Sequence, residues 1–130
     1  MKNYKNHIII LVFGLLLTVS SCKYDTYVKQ VPVNVTTSVS YDTIVQPIFN
    51  NACALSGCHV SGAQAPDLTP ANSYSNLFNY ALVDTTAPNT SVLFLHLTAN
   101  GYSLMPPIGA LSSLQIGEIL AWIKQGGLNN

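Results

Sequence analysis

The chain has 130 residues, 48% of them hydrophobic, which is enough apolar material for one folded domain and excludes a disordered protein. Only 8% of the residues are charged; five lysines balance five acidic residues, and arginine is absent. This balance excludes a basic nucleic-acid-binding domain, because no cluster of cations is available for phosphate contacts.

Residues 1–21 have the pattern of a secretory signal peptide. Lys2 and Lys5 precede an apolar stretch that is shorter than the ~20 residues a membrane-spanning helix needs, and small residues follow it. The segment Val19-Ser20-Ser21-Cys22 resembles a bacterial lipobox. This resemblance implies that Cys22 is acylated and begins a lipid-anchored, extracytoplasmic protein, on the periplasmic face or at the cell surface. The alternatives are an ordinary signal peptide or an uncleaved anchor, with Cys22 uninvolved.

Residues 22–39 are predicted to be an extended tether between the lipid anchor and the domain. They are rich in valine, threonine and serine, contain a proline and have no helical period. Val31, Val33 and Val35 alternate as in a strand, but a lone segment with a proline is weak evidence for a sheet. The globular domain is therefore predicted to span residues 40–130.

Residues 41–52 are predicted to form the first helix of that domain. Their apolar side chains recur at helical spacing and share one face, and Ser40 is placed to cap the helix. Pro47 lies inside the pattern and predicts a kink or a shortened helix. A second helix is predicted over residues 73–82, where the apolar side chains again have helical spacing.

Two further segments carry helical signals. Residues 91–98 are short and apolar and fit either a strand or a helix, although Ser91 at their head favours a short helix. The last helix is predicted to follow Ser112, which can form a capping box with Gln115. Two consecutive glycines, at positions 126 and 127, are predicted to end it.

The fold class predicted from these elements is all-α, with three to four short helices and long loops. Residues 53–71 and 100–110 are predicted to be loops, because glycine and proline recur in both. Loops of this length in a compact domain are usually functional or need something to pack on. A domain of about 90 residues is also short of core, so the pattern favours a non-protein group in its middle.

The residues that carry chemistry follow directly on the first helix, in the sequence Cys53-Ala54-Leu55-Ser56-Gly57-Cys58-His59. Two thiols and an adjacent histidine suit covalent attachment of haem, because the thiols can add across the two vinyl groups of the porphyrin while the imidazole reaches the iron. The usual motif has two residues between the thiols, whereas this one has four.

Three other interpretations of the cysteine pair stay open. Cys53 and Cys58 could form a disulfide in an oxidising compartment. They could contribute to a zinc or copper site, for which His96 and Met105 are the remaining soft ligands. The pair could also have no shared role.

From about Thr43 to Asn130 the chain resembles a small class I-type c-type cytochrome domain, in particular the compact lipoprotein domains with a Cys-x4-Cys-His motif. The features that match in order are Ile48-Phe49, Pro66-Asp67-Leu68, Met105-Pro106-Pro107, Leu111-Ser112, Ile119, Trp122-Ile123 and Gly126. The resemblance implies a cytochrome c-like fold closed around one haem c, attached through Cys53 and Cys58 and ligated by His59.

The resemblance also places the sixth iron ligand at Met105, on a segment that two following prolines stiffen. A lone methionine is otherwise most often core filler. His96 is the alternative ligand, although such a histidine is more often a satisfied surface or core residue. The Pro66 carbonyl is expected to accept a hydrogen bond from the His59 ring. The apolar wall of the pocket is predicted to consist of Phe49, Leu68 and Trp122.

These expectations describe a membrane-tethered monohaem cytochrome that carries single electrons through His/Met-ligated iron and is not itself an enzyme. Its partners are predicted to be redox proteins, met transiently over a small interface, and its lipid anchor is its contact with the membrane. Two alternatives stay open: a peroxidase-like haem enzyme with an open distal site, and a haem-free lipoprotein with a Cys53–Cys58 disulfide.

Overall fold

The computed structural model describes residues 28–130, and all regular secondary structure in that range is helical. The prediction of an all-α domain is confirmed at this level. The signal peptide, the lipobox and the lipidation predicted at Cys22 lie outside the described residues. Among residues 28–130, no helix combines the length and the apolar character that a bilayer span requires.

Four α-helices and two shorter helical stretches make up the domain. A π-helical stretch, Tyr41–Val45, continues directly into helix α1, Gln46–Ala52. The later elements are α2 (Ser73–Asn79), a 3₁₀ turn (Pro88–Thr90), α3 (Val92–Leu97) and α4 (Ser113–Lys124). The segments between α1 and α2 and between α3 and α4 are the two long loops that the sequence predicts.

Pro47 changes the winding of the first helix without breaking it. It lies in the first turn of α1, a position at which proline is tolerated. The wider π turn precedes it, and Ser40 caps that turn by accepting a hydrogen bond from the N–H of Thr43 at 3.3 Å. The predicted shortened α-helix is therefore observed, as a change of helix type at Gln46.

Helix α2 ends three residues earlier than the spacing predicts. Ala81 has a φ of 51°, in the left-handed region that an α-helix cannot include. The chain turns there, and the N–H of Leu82 bonds back to the carbonyl of Leu77 at 2.9 Å. The apolar residues at 81 and 82 keep helical spacing but lie beyond the end of the helix.

Helix α4 is the centre of the hydrophobic core. The predicted capping box is confirmed: Ser112 Oγ accepts a hydrogen bond from the N–H of Gln115 at 3.2 Å, and Gln115 Oε1 accepts one from the N–H of Ser112 at 3.0 Å. Seven of its twelve residues are buried, namely Ile116, Gly117, Ile119, Leu120, Ala121, Trp122 and Ile123. Burial of a stripe this wide stabilises α4 far more than helix propensity alone.

An aromatic cluster joins the first helical segment to α2 and α4. The ring of Tyr41 lies 6.3 Å from that of Phe49, 5.3 Å from that of Tyr74 and 5.1 Å from that of Trp122, measured between centroids. Three of these four side chains, Tyr41, Phe49 and Trp122, are at most 2% exposed. Such edge and tilted contacts stabilise the core beyond the area they bury.

The segment before the domain differs from the predicted free tether, because residues 30–39 lie along α4. The N–H of Val33 donates to the carbonyl of Ser113 at 2.9 Å. The Gln125 side chain accepts from the N–H of Val39 and donates to the carbonyl of Thr37, both at 2.9 Å. The packed residues thus extend from the predicted domain back to about residue 30.

Gly117 is the residue that allows this close approach. A Cβ atom at position 117 would overlap the backbone carbonyl of Val33. The glycine interrupts the apolar stripe of α4 at the point where the extended segment crosses it, so the two backbones come nearer than any other residue would permit.

Candidate functional site

A cavity of about 480 Å³ is lined by the loop after α1, by parts of α2 and α3, and by the loop before α4. The structure brings to it most of the site residues that the sequence predicts, namely Cys53, Cys58, His59, Pro66, Leu68, His96 and Met105. The rest of the lining is mainly leucine, alanine and proline, with no lysine, aspartate or glutamate. The cavity is therefore suited to a large and mainly apolar ligand.

The ring of His59 is held by the backbone of the same loop. Its Nδ1 lies 3.1 Å from the carbonyl oxygen of Pro66. A carbonyl can only accept, so Nδ1 carries a proton, and in the neutral ring Nε2 then has the lone pair. The backbone is fixed as well, since the N–H of Leu68 donates to the carbonyl of His59 at 2.9 Å. The free nitrogen of this ring is thus available to a ligand or metal.

Cys53 and Cys58 are both free thiols in the described part of the chain. Cys53 is buried, and this burial, with a smaller contribution from Cys58, raises the pKa of its thiol to about 11. Cys53 is therefore a neutral thiol at neutral pH. Cys58 is half-buried and adjoins His59.

The four-residue spacer between the thiols is accounted for by a tight turn. The N–H of Cys58 donates to the carbonyl of Leu55 at 2.8 Å, and Gly57 has a φ of 78°. A positive φ at the third position of a hydrogen-bonded turn is the geometry that glycine permits best. The N–H of His59 then donates to the carbonyl of Cys53 at 3.2 Å, which closes the loop on its own start.

The two candidate distal ligands lie close to one another at the cavity. The Nδ1 of His96 lies 2.8 Å from the carbonyl of Ser103, so this ring also carries its proton on Nδ1 and leaves Nε2 free. The N–H of Met105 donates to the carbonyl of His96 at 3.1 Å. The ring of Tyr102 contacts that of His96 edge-on, with centroids 4.8 Å apart.

The predicted apolar wall needs a correction, because only Leu68 of its three residues lines the cavity. Phe49 and Trp122 are 0% and 1% exposed and pack in the aromatic cluster around Tyr41. The wall is supplied instead by leucines of α2, α3 and the turn between them, namely Leu77, Leu82, Leu93 and Leu97. The i, i+4 spacing of Leu93 and Leu97 on α3 is the sequence signal that indicates this face.

Two hydrogen-bonded groups that support the site have no counterpart in the sequence analysis. In the core, the hydroxyl of Tyr41 donates to Ser73, the hydroxyl of Ser73 donates to Gln46, and Gln46 Nε2 donates to the carbonyl of Leu68 at 3.1 Å. In the loop, the carboxylate of Asp67 accepts four hydrogen bonds. The sequence Asp67-Leu68-Thr69 is typical of a turn closed by an aspartate side chain, which is the signal for the second group.

Among the residues that the structure describes, no group of three or more histidine, cysteine, aspartate or glutamate side chains is placed to hold a metal ion by itself. Comparisons with protein-family models, with curated proteins and with solved structures found no match to this chain. The function of the site is therefore inferred from the cavity and its side chains.

Proposed function

We propose that this chain is a monohaem c-type cytochrome that carries single electrons, with a cytochrome c-like arrangement of its helices around the haem. The observation that supports this best is the lining of one cavity. Two separate thiols, an imidazole with a free Nε2 and a thioether all meet there, on walls that are otherwise apolar.

The donor set fits a haem. Cys53 and Cys58 would provide the two thiols for thioether bonds to the porphyrin, and His59 would provide a nitrogen ligand for the iron. The hydrogen bond from Nδ1 to the Pro66 carbonyl fixes the tautomer and the plane of the ring, as is usual for a ligating histidine. When bound, the haem supplies a one-electron couple between ferric and ferrous iron.

Met105 is the proposed sixth ligand. Its backbone N–H is fixed on the carbonyl of His96, and two prolines follow it, so little ordering entropy remains to be lost when its thioether binds iron. A soft thioether favours the ferrous state and raises the reduction potential relative to two imidazoles. The apolar walls act in the same direction, because they disfavour the extra charge of the ferric state.

His96 remains the alternative ligand, and a specific contact favours it. Its Nδ1–H is bonded to a backbone carbonyl at 2.8 Å, as that of His59 is at 3.1 Å. With a haem bound, either side chain would complete the coordination of the iron and leave no room on it for a substrate. Both arrangements therefore favour an electron carrier over a peroxidase-like enzyme.

A lipid anchor at Cys22 would hold this domain on the extracytoplasmic side of a bacterial membrane. Electrons would be exchanged with redox proteins that bind transiently over a small interface. Tyr80 and Ile108, 55% and 81% exposed, line the cavity and mark where it reaches the surface. A partner that meets the protein at this apolar, uncharged opening comes closest to the haem.

The decisive experiment is haem staining of the denatured protein, after expression of the full chain with a working haem-ligation apparatus. One haem per chain is expected, with a pyridine haemochrome spectrum typical of thioether-linked haem. The double variant Cys53→Ser/Cys58→Ser should not stain, whereas the control Ser56→Ala, within the same turn, should stain fully. A colourless wild-type protein would overturn the proposal and leave the haem-free lipoprotein.

The ferric absorption spectrum separates a carrier from an enzyme. Methionine ligation gives a weak far-red charge-transfer band and a low-spin spectrum. A high-spin spectrum in the wild-type protein would show an open iron position, which is the property expected of the peroxidase-like alternative.

A further inference from the structure

We propose that Asp67 is a positioning residue that holds the imidazole of His59 in place by fixing the backbone on which the ring is bound. The effect of Asp67 on an iron ligand rests on the proposed function above, whereas its effect on the position of the His59 ring does not.

His59 is bound on two sides by residues that flank Asp67. The carbonyl of Pro66 accepts from its Nδ1 at 3.1 Å, and the N–H of Leu68 donates to its own carbonyl at 2.9 Å. Because residue 67 connects these two groups, its conformation sets the distance and direction of both. A displacement of a few tenths of an ångström at Asp67 would therefore shift the His59 ring.

The carboxylate of Asp67 is fixed by donors from three parts of the chain. Oδ1 accepts from the N–H of Thr69 at 2.9 Å and from its hydroxyl at 2.6 Å. Oδ2 accepts from the hydroxyl of Ser61 at 2.5 Å and from Asn72 Nδ2 at 2.7 Å. The side chain thereby joins the loop that follows His59 to the residue that precedes α2.

All four donors are neutral groups, so the negative charge is stabilised by oriented dipoles alone. The hydroxyl of Ser61 contributes most, and together the four bonds hold the pKa of Asp67 well below its usual range. The backbone N–H of Asp67 also donates to Asn76 Oδ1 of α2 at 3.2 Å. Asp67 is therefore an ionised anchor with little freedom to turn.

Loss of this anchor should affect the ring more than the fold. Leu68 keeps a separate hold, because Gln46 Nε2 donates to its carbonyl from the buried core at 3.1 Å. No equivalent core contact is found for Pro66 among the hydrogen bonds of the described chain. The Pro66 carbonyl, and with it the bond to Nδ1 of His59, is held through Asp67: its peptide group includes the N–H that donates to Asn76 Oδ1, and the carboxylate fixes the rest of the residue.

The test is Asp67→Asn, compared with the matched control Asp84→Asn. Asparagine has the same shape, but its amide nitrogen must face two of the donors that the carboxylate accepts. Asp84 forms the same kind of turn, with Oδ1 accepting from Thr86 N–H at 2.8 Å and from its hydroxyl at 2.7 Å. Asp84 makes no hydrogen bond to the loop that holds His59. Asp84→Asn therefore measures the general effect of replacing an aspartate in such a turn.

Nitrogen-15 NMR of the His59 ring in the protein as isolated is the first measurement. Wild type and Asp84→Asn should show one tautomer with a protected Nδ1–H. In Asp67→Asn the exchange of that proton with solvent should be faster by about tenfold or more, which corresponds to ~1.4 kcal/mol of lost restraint. If the chain carries haem, the reduction potential should also rise, because a weaker bond at Nδ1 makes the imidazole a poorer donor to ferric iron.

A folded Asp67→Asn protein whose His59 signals and potential match those of Asp84→Asn would overturn the proposal. If Asp67→Asn does not fold, Ser61→Ala decides, because it removes one exposed hydroxyl and keeps the carboxylate. Faster Nδ1–H exchange in Ser61→Ala supports the proposal, and unchanged exchange overturns it. A wild type without haem would refute only the proposed function, since the ring measurement needs no haem.

Discussion

Met105 and His96 both line the cavity, and one substitution separates their roles. In the proposed haem protein, leucine at 105 keeps the volume but removes the sulfur, so the reduction potential should fall by roughly 0.1–0.3 V, within the ~0.8 V that axial ligands span. The far-red band of the ferric protein should disappear at the same time. Potentiometric titration and absorption spectroscopy of Met105→Leu check both outcomes.

The matched control is His96→Gln, which removes the competing imidazole and leaves the thioether. His96→Gln should keep the far-red band of the ferric protein and change the reduction potential only slightly. If Met105→Leu leaves potential and spectrum unchanged while His96→Gln alters them, the sixth ligand is His96. The bond from its Nδ1 to the Ser103 carbonyl would then serve the iron as the Pro66 bond serves His59.

Tyr41 predicts how stability depends on alkaline pH. Burial is the main cause that raises its pKa from 10.0 to about 12. The folded state therefore keeps a phenolic proton that the unfolded chain releases above pH 10, so the free energy of unfolding should fall between pH 10 and 12. Tyr41→Phe should lower the free energy of unfolding by about 1 kcal/mol at neutral pH, because the bond to Ser73 is lost. Above pH 10, its free energy of unfolding should fall less steeply than that of the wild type.

Urea unfolding of wild type and Tyr41→Phe from pH 8 to pH 12 checks this prediction. Tyr74→Phe is the control, since its hydroxyl only donates to the carbonyl of Gly127 at 2.9 Å. Tyr74→Phe should retain most of the alkaline decline, because burial of Tyr41 is its main cause. An equally steep decline in Tyr41→Phe would show that the phenol of Tyr41 does not cause it.

The contact of the extended segment with α4 is tested by Gly117→Ala. Alanine is a better helix former than glycine by about 1 kcal/mol, but its Cβ would overlap the carbonyl of Val33. The segment or the helix must move, so we expect a net loss of ~1–3 kcal/mol in the free energy of unfolding. Chemical denaturation measures this free energy. The neighbouring control variant, Glu118→Ala, should change it by less than about 0.5 kcal/mol. A stabilised Gly117→Ala protein would contradict the observed packing.

The elements that local sequence determines could be predicted. The capping box of Ser112 and Gln115 depends on residues three apart. The short helix after Ser91 depends on its apolar residues, because the Ser91 hydroxyl bonds to the backbone of Asp84 and makes no capping bond. The packing of residues 30–39 could not be predicted in this way. It depends on Gly117 and Gln125, more than 80 residues away in the chain, and no local pattern in the valine-rich segment indicates them.

The residues of the candidate site also differ in whether the sequence could predict them. The motif of Cys53, Cys58 and His59, together with the cytochrome resemblance that it suggested, identified residues that the fold brings to one cavity. The wall residues could not be identified in this way, because a buried aromatic side chain such as Phe49 or Trp122 can face either the core or a pocket. Only the tertiary packing determines which of the two it faces. The role of Asp67 was also hidden, since a turn-forming aspartate looks the same whether or not its neighbour binds a histidine.

At the scale of the whole molecule, the cavity is large for a domain of this size. It opens to the surface at Tyr80 and Ile108, so without a bound group its apolar walls face water, and covering them would stabilise the fold by about 25 cal/mol for each Å² removed from water. Small domains have a total stability of only about 5–15 kcal/mol. Without a bound group, the fold should therefore lose most of its stability or collapse into the cavity.

The prediction follows that the same chain, made with and without the haem-ligation apparatus, differs strongly in stability. The protein that carries haem should melt cooperatively, with native near-ultraviolet circular dichroism. The haem-free protein should melt at a temperature lower by tens of degrees or show no cooperative transition, and should bind more of a hydrophobic dye, because the leucines that line the cavity become accessible. Thermal unfolding, dye binding and limited proteolysis of the two preparations check this. A haem-free protein that melts at the same temperature would show that α1 to α4 close the core without a haem, and that the cavity is not the centre on which the fold depends.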